Sequence, residues 1–147
     1  MDTVPPAGPV LTMIFVVLSL LHVYWALGGR WGLDGALPEA PPRPGEPGRP
    51  VLQPGPILTG AVAVALGAAA VVSAAASGLM ETPLPDPLVT AGIWTLAVLF
   101  LLRALGDLRY VGFFKRVRGT TFARLDTWLF SPLCVVISAL AFTVAMA

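Results

Sequence analysis

Four apolar runs, each about as long as a bilayer is thick, occupy most of this 147-residue sequence. They fall at residues 9–28, 57–79, 87–110 and 126–147. A helix needs about 20 residues to cross ~30 Å of hydrocarbon, and it satisfies its backbone hydrogen bonds internally. The runs therefore predict an all-α, four-helix transmembrane bundle that forms a single domain over residues 1–147.

The composition excludes an ordinary soluble domain. Apolar residues make up 56% of the chain and charged residues only 12%, whereas soluble domains carry about 25% charged residues. The net charge of +1 gives no indication of nucleic-acid binding. The single cysteine, Cys134, excludes an internal disulfide and a cysteine-rich metal site, and we expect neither a metal nor another cofactor. The abundance of Arg, Ala, Gly and Pro is typical of a GC-rich bacterial genome.

The first run is predicted to remain in the membrane as a helix. A secretory signal peptide begins with basic residues and has a short apolar region, but here Asp2 precedes a run of about 20 residues. Gly28 and Gly29 end this run. The loop at residues 30–56 is rich in proline, which blocks helix interiors, so we expect it to be extended or partly disordered outside the membrane. A PxxP ligand role for Pro38, Pro41 and Pro44 is a less favoured alternative to a simple spacer.

The positions of the basic residues predict the orientation of the bundle. All nine lie in the first loop, in the third loop or at its edge, and short loops rich in Arg and Lys face the cytoplasm. Four spans place these two loops on the same side. We therefore predict a multi-pass protein of the bacterial cytoplasmic membrane, with both termini outside and the proline-rich loop inside.

Small residues recur at four-residue spacing along the second span. Examples are Ala61, Ala65 and Ala69 on one face, and Ala70, Ala74 and Gly78 on another. Such faces let helix backbones approach closely in lipid. The pattern favours tight packing within the bundle, and homo-oligomerisation through the same helix is the alternative.

Residues from three spans are predicted to meet at the inner interface. The end of the first span, the end of the third and the start of the fourth all reach this level, so distant polar and aromatic residues can form one cluster. The candidate ligand-binding residues are His22, Tyr24, Trp25, Trp31, Arg103, Asp107, Arg109, Tyr110 and Asp126.

Three members of this cluster have simpler interpretations. The i, i+4 spacing of Arg103 and Asp107 predicts an ion pair on one helix face. Asp126 precedes the fourth span and is favoured as a helix N-cap. His22, the only histidine, is favoured as a hydrogen-bonded residue between helices or at the headgroup level.

The remaining bases of the third loop are expected to attract anionic lipid headgroups, at about 1 kcal/mol per base. They are Lys115, Arg116, Arg118 and Arg124. The chain contains no P-loop, GxSxG, HExxH or GxGxxG pattern.

Three segments resemble an uncharacterised bacterial membrane family, domain of unknown function 3995. They are LHVYWALGGRWG at 21–32, RALGDLRYVGFFKR at 103–116 and FARLDTWLFSPLC at 122–134. The resemblance extends over nearly the whole chain except the proline-rich stretch. It implies a four-helix integral membrane protein and assigns no catalytic role.

Three functions remain open from the sequence. The first is a non-catalytic protein that binds a lipid, a small amphiphile or a partner subunit at the cytoplasmic cluster. The second is a small membrane enzyme that uses His22 with Asp107 or Asp126 as acid and base. The third, an oligomeric channel or transporter subunit, is less favoured because the spans lack charges at mid-membrane.

Overall fold

The computed structural model describes residues 6–41 and 49–147, and it confirms the all-α architecture. Four helical segments are long and apolar enough to cross a membrane, the last being a continuous segment at Thr121–Ala145. The elements in chain order are α1 (Ala7–Ala26), α2 (Leu33–Ala36), α3 (Pro56–Ala76), α4 (Asp86–Leu105), α5 (Thr121–Leu125), a π-helical turn (Asp126–Phe130) and α6 (Ser131–Ala145).

The four long segments form a closed ring in cross-section. α1 packs against α3 and α6, and α4 packs against α3 and α6. The hydroxyl of Ser19 donates to the carbonyl of Ala63 (2.8 Å), which joins α1 to α3. The hydroxyl of Ser138 donates to the carbonyl of Ala97 (2.7 Å), which joins α6 to α4. Such bonds replace the hydrophobic driving force that is missing between helices in lipid.

The centre of the ring is filled by apolar side chains from all the long helices. Leu11, Phe15, Ile93 and Ile137 are almost completely buried, and the rings of Phe15 and Phe100 lie 5.4 Å apart. Large apolar side chains also cover the outside of the ring, including Met13, Leu20, Val64, Leu99 and Leu102. An outer surface of this kind suits hydrocarbon and not water. The chain is thus built as a multi-pass membrane protein.

The small residues of α3 lie on two sides of that helix. Ala63, Ala70 and Ala74 are buried within the bundle, in agreement with the predicted tight packing. Ala61 and Ala65 are exposed on the outer face. Homo-oligomerisation through that face stays a prediction.

Two helix ends lie five residues from the ends of the predicted spans. α4 ends at Leu105 and not near residue 110, because Gly106 takes a φ of 91° that a helix cannot continue. The fourth segment begins at Thr121 and not at Asp126. Its N-cap is Thr120, whose hydroxyl accepts from the N–H of Ala123 (3.0 Å). The predicted N-cap role of Asp126 is therefore wrong.

Pro132 accounts for an interruption of the regular α-helix before α6. Pro132 has no N–H, and its ring would clash with the carbonyl of Trp128 in a regular α-helix. Instead, the helical turn before Pro132 is one residue wider than an α-helical turn: the N–H of Ser131 donates to the carbonyl of Asp126, five residues earlier. From the sequence, Ser131-Pro132 in the first turns of the fourth span predicts a kink or a short re-start of the helix, and the π-helical turn is the interruption that the structure shows there.

The first and third loops lie on the same side of the bundle, as predicted. A Cβ on Gly35 of α2 would meet the side chain of Leu125, so α2 rests on α5. The first loop is predicted to be extended or partly disordered, and the short helix α2 within it corrects that prediction for residues 33–36. The two ends of the proline-rich stretch are joined by backbone hydrogen bonds. The N–H of Ala40 donates to the carbonyl of Arg49 (2.9 Å), and the N–H of Val51 donates to the carbonyl of Pro38 (2.7 Å). Much of the PxxP stretch, residues 42–48, lies outside the described residues.

Candidate functional site

A completely buried carboxylate, that of Asp126, lies at the start of the π-helical turn. Its Oδ1 accepts from Nη2 of Arg103 (3.0 Å), at the end of α4. Its Oδ2 accepts from Nζ of Lys115 (3.0 Å) and from the N–H of Gly112 (2.8 Å), both in the third loop. We call Arg103, Lys115 and Asp126 the triad. It ties α4, the loop and the fourth segment together.

Lys115 belongs to the protein interior. The residue is only 4% exposed, and its ammonium group also donates to the carbonyl of Gly112 (3.0 Å) and to Oγ1 of Thr127 (2.7 Å). With the bond to Asp126, these contacts use all three donors of a lysine. The prediction that Lys115 contacts lipid headgroups is therefore wrong.

Two glycines allow the third loop to reach the carboxylate. Gly106 and Gly112 have φ values of 91° and 86°, in the left-handed region that favours glycine. Their backbones are also in contact: a Cβ on Gly106 would overlap the carbonyl of Val111, and one on Gly112 would overlap Gly106. The loop then returns to α4, where the N–H of Phe113 donates to the carbonyl of Ala104 (2.9 Å). This fold aims the N–H of Gly112 at Asp126.

Asp107 organises the same loop from its exposed side. Its Oδ1 accepts from the backbone N–H groups of Arg109 (2.9 Å), Tyr110 (2.7 Å) and Val111 (2.9 Å). Desolvation acts to raise the pKa of Asp107, but these donors outweigh it and lower the pKa below its ordinary value. The predicted ion pair with Arg103 is wrong, because α4 ends before Asp107.

The triad carries one negative and two positive formal charges. The side chain of Arg103 is 34% exposed, whereas those of Lys115 and Asp126 are buried. Nη1 of Arg103 is buried and has no hydrogen-bond partner among the described residues. Among the described residues, the carboxylate that pairs with Arg103 is that of Asp126, which also pairs with Lys115.

The aromatic candidates form a second group at the end of α1. Nδ1 of His22 donates to the carbonyl of Leu18 (2.7 Å), and the imidazole lies edge-on to Trp25, 4.9 Å between centroids. Nε1 of Trp25 donates to the backbone carbonyl of Trp31 (2.9 Å). The backbone N–H of Trp31 donates to the hydroxyl of Tyr24 (3.4 Å). Across residues 6–41 and 49–147, no hydrogen bond, salt bridge or ring contact joins this group to the triad. The single cluster predicted from the sequence is thus resolved into two groups.

The other basic candidates lie on the surface of the third loop and of α5. Arg109, Arg116, Arg118 and Arg124 are exposed, and the guanidinium carbon of Arg109 is 5.1 Å from the centroid of the half-buried Tyr110 ring. Among the described residues, no group of three His, Cys, Asp or Glu side chains could hold a metal ion.

One known family corresponds to this chain. The model of a family described as protein of unknown function (DUF3995) matches residues 15–141. This range contains both groups of candidate residues. No curated protein and no solved structure matches the chain. Because the match covers most of the sequence, the chain belongs to the DUF3995 family.

Proposed function

We propose that the protein is a non-catalytic membrane protein that binds the anionic headgroup of a lipid or small amphiphile beside Arg103. The observation that carries the proposal is the charge of the triad: two cations share one buried carboxylate. A cation held away from bulk water is stabilised by a nearby anion. The side chain of Arg103 is 34% exposed, and its unpartnered Nη1 is the donor that we propose binds this anion.

Arginine chemistry supports a phosphate or carboxylate headgroup as the ligand. The planar guanidinium matches both groups and stays charged at all physiological pH values. Asp126 holds the Arg103 side chain from one side, so little conformational entropy is lost when an anion binds at the other. The exposed bases of the third loop add a general attraction for anionic lipid.

The catalytic alternative receives less support from the same geometry. The two carboxylates that could assist His22 are both engaged: Asp126 by the triad and Gly112, and Asp107 by three backbone donors. A general base needs its orienting group within hydrogen-bond reach. His22 has the carbonyl of Leu18 in that position instead.

The headgroup proposal is tested by lipid preference in mixed vesicles. Arg103→Gln leaves the neutral Lys115–Asp126 pair intact, so the fold is retained while the excess charge is lost. We expect the preference for phosphatidylglycerol over phosphatidylcholine, measured by native mass spectrometry of bound lipid, to fall about 5- to 10-fold, equivalent to ~1–1.4 kcal/mol. Arg103→Lys keeps the charge and should retain part of the preference. The control Arg30→Gln removes one base from the other loop and should change it less than twofold. An unchanged preference in Arg103→Gln would refute the proposal.

We also propose that the triad faces the cytoplasm of a bacterial cell, with both chain termini outside. The support is the restriction of all nine basic residues to the first and third loops or their edge. A reporter enzyme that is active only outside the cytoplasm should be active when fused after Ala147 and inactive when inserted at Gly119. The opposite pattern would reverse the orientation.

A further inference from the structure

A groove opens on the outer surface between α1 and α3, at the end of these helices that adjoins the first loop. Its volume is about 370 Å³. The floor is made of small residues, among them Gly60, Ala63 and Gly67 of α3, because they leave space where larger side chains would fill it. Val23 and Leu27 stand at the rim and are 41% and 84% exposed.

The groove has the chemistry of a hydrocarbon site. Its lining is apolar except for Ser19, and the hydroxyl of Ser19 already donates to the carbonyl of Ala63 (2.8 Å). No side-chain donor in this described lining therefore remains to be satisfied by a polar ligand. A dry groove left empty would also lose dispersion contacts along both walls.

The length of the groove along α1 is close to the hydrocarbon thickness of one bilayer leaflet. From Leu27 to Ser19 the helix rises about 12 Å, at 1.5 Å per residue, and one leaflet contributes about 15 Å of hydrocarbon. Farther along the same helix pair, Gly8 lies against Ser77 with no room for an added Cβ. A helix from a second copy would cross the full ~30 Å, and its diameter of about 10–12 Å exceeds what this groove holds.

We propose that the α1–α3 groove holds one acyl chain of a phospholipid from the leaflet on the side of the basic loops. The chain would enter at the membrane surface beside Leu27 and Gly60 and end near mid-membrane at Ser19 and Gly67. The groove lies between α1 and α3, whereas the triad joins the end of α4 to the fourth segment. This second site is thus independent of the headgroup site at Arg103.

The test is a leucine substitution that fills the groove. A Cβ on Gly60 would meet only the Cβ of Ala26, at 4.0 Å, and one on Gly67 would meet Oγ of Ser19 at 3.5 Å, so both positions accept a side chain. The variants are Gly60→Leu and Gly67→Leu. Ala61→Leu is the matched control, since Ala61 is exposed on the outer face outside the groove lining. Circular dichroism verifies that each variant retains its helices.

Each protein is reconstituted in phosphatidylcholine alone, which removes any contribution from anionic headgroups, and then transferred to detergent for native mass spectrometry. The wild type and Ala61→Leu should retain one phospholipid per chain. In both glycine variants, the amount of phospholipid bound per chain should be at least about tenfold lower than in the wild type. A wild type without retained phospholipid, or an adduct unchanged in both glycine variants, would overturn the proposal. A wild-type dimer that becomes monomeric in Gly60→Leu would show that a second copy occupies the groove instead.

Discussion

Asp126→Asn is expected to lower the free energy of unfolding by about 3–5 kcal/mol, more than any other single substitution at the triad. The variant removes the carboxylate that Arg103 and Lys115 share and leaves two cations without this counter-charge. Breaking a buried ion pair by removing one partner costs this much because the other charge stays buried. The measurement is equilibrium unfolding in mixed micelles, followed by circular dichroism.

The control for Asp126→Asn is Glu81→Gln. It also removes one carboxylate, but from an exposed position in the loop between α3 and α4, and should change stability by less than about 0.5 kcal/mol. Lys115→Met should be intermediate, because it leaves Arg103 and Asp126 as a neutral pair while removing hydrogen bonds worth about 1–3 kcal/mol. Equal stability of Asp126→Asn and Glu81→Gln would contradict the structural role of the triad.

Gly112→Ala is expected to have the second-largest effect and to release the third loop from Asp126. The alanine must adopt a positive φ, which costs about 1–2 kcal/mol, and its Cβ would overlap Gly106. The two backbones must then separate, which moves the Gly112 N–H away from Oδ2 of Asp126. We expect a total loss of about 3 kcal/mol or more, together with faster amide hydrogen exchange at Gly112 and Phe113.

Gly119→Ala separates the two causes of this loss. Gly119 has a φ of 90°, close to that of Gly112, but a Cβ there meets no atom within 4 Å. It should therefore show the backbone cost of about 1–2 kcal/mol alone and leave exchange at Gly112 unchanged. If Gly112→Ala cost no more than Gly119→Ala, the close contact with Gly106 would carry no energy.

The fold can be predicted from the sequence because hydrophobicity and length decide it. Four long apolar runs have few alternatives in a bilayer. The end predicted at Gly28-Gly29 lies close to the observed end of α1, and Asp86-Pro87, an acid followed by a proline as is common at a helix start, lies at the start of α4. The end of α4 is harder to predict. The run from Arg103 to Tyr110 continues the helical pattern, but Gly106 and Leu108 both take positive φ values, 91° and 63°, and the backbone of Gly106 lies against Gly112.

The triad could not be predicted from the sequence, because its members are brought together by the third loop, which has no regular secondary structure and therefore no periodic sequence pattern. Arg103 has an acid at i+4, which favours Asp107 as partner, yet the true partner is 23 residues away. Lys115 adjoins the exposed Arg116 and resembles one more surface base. One clue is that Lys115 is the only lysine among nine basic residues. A compact ammonium with three donors suits a small buried site better than a guanidinium does.

The π-helical turn is only partly encoded in a recognisable sequence signal. Ser131-Pro132 predicts an interruption, but the proline does not specify its form. The widened turn begins at Asp126, so the interruption and the buried carboxylate occupy the same place in the chain. Such turns are frequent at functional sites, which agrees with the role proposed for this region.

An excess positive charge, shared between Arg103 and a buried Lys115, is proposed to attract an anionic headgroup. Lys115→Met tests this attraction most directly, because Lys115 is only 4% exposed and cannot itself contact lipid. We predict that this variant loses the preference for phosphatidylglycerol over phosphatidylcholine in native mass spectrometry about as fully as Arg103→Gln. A Lys115→Met protein that stays folded and keeps the wild-type preference would contradict the proposed role of the triad charge.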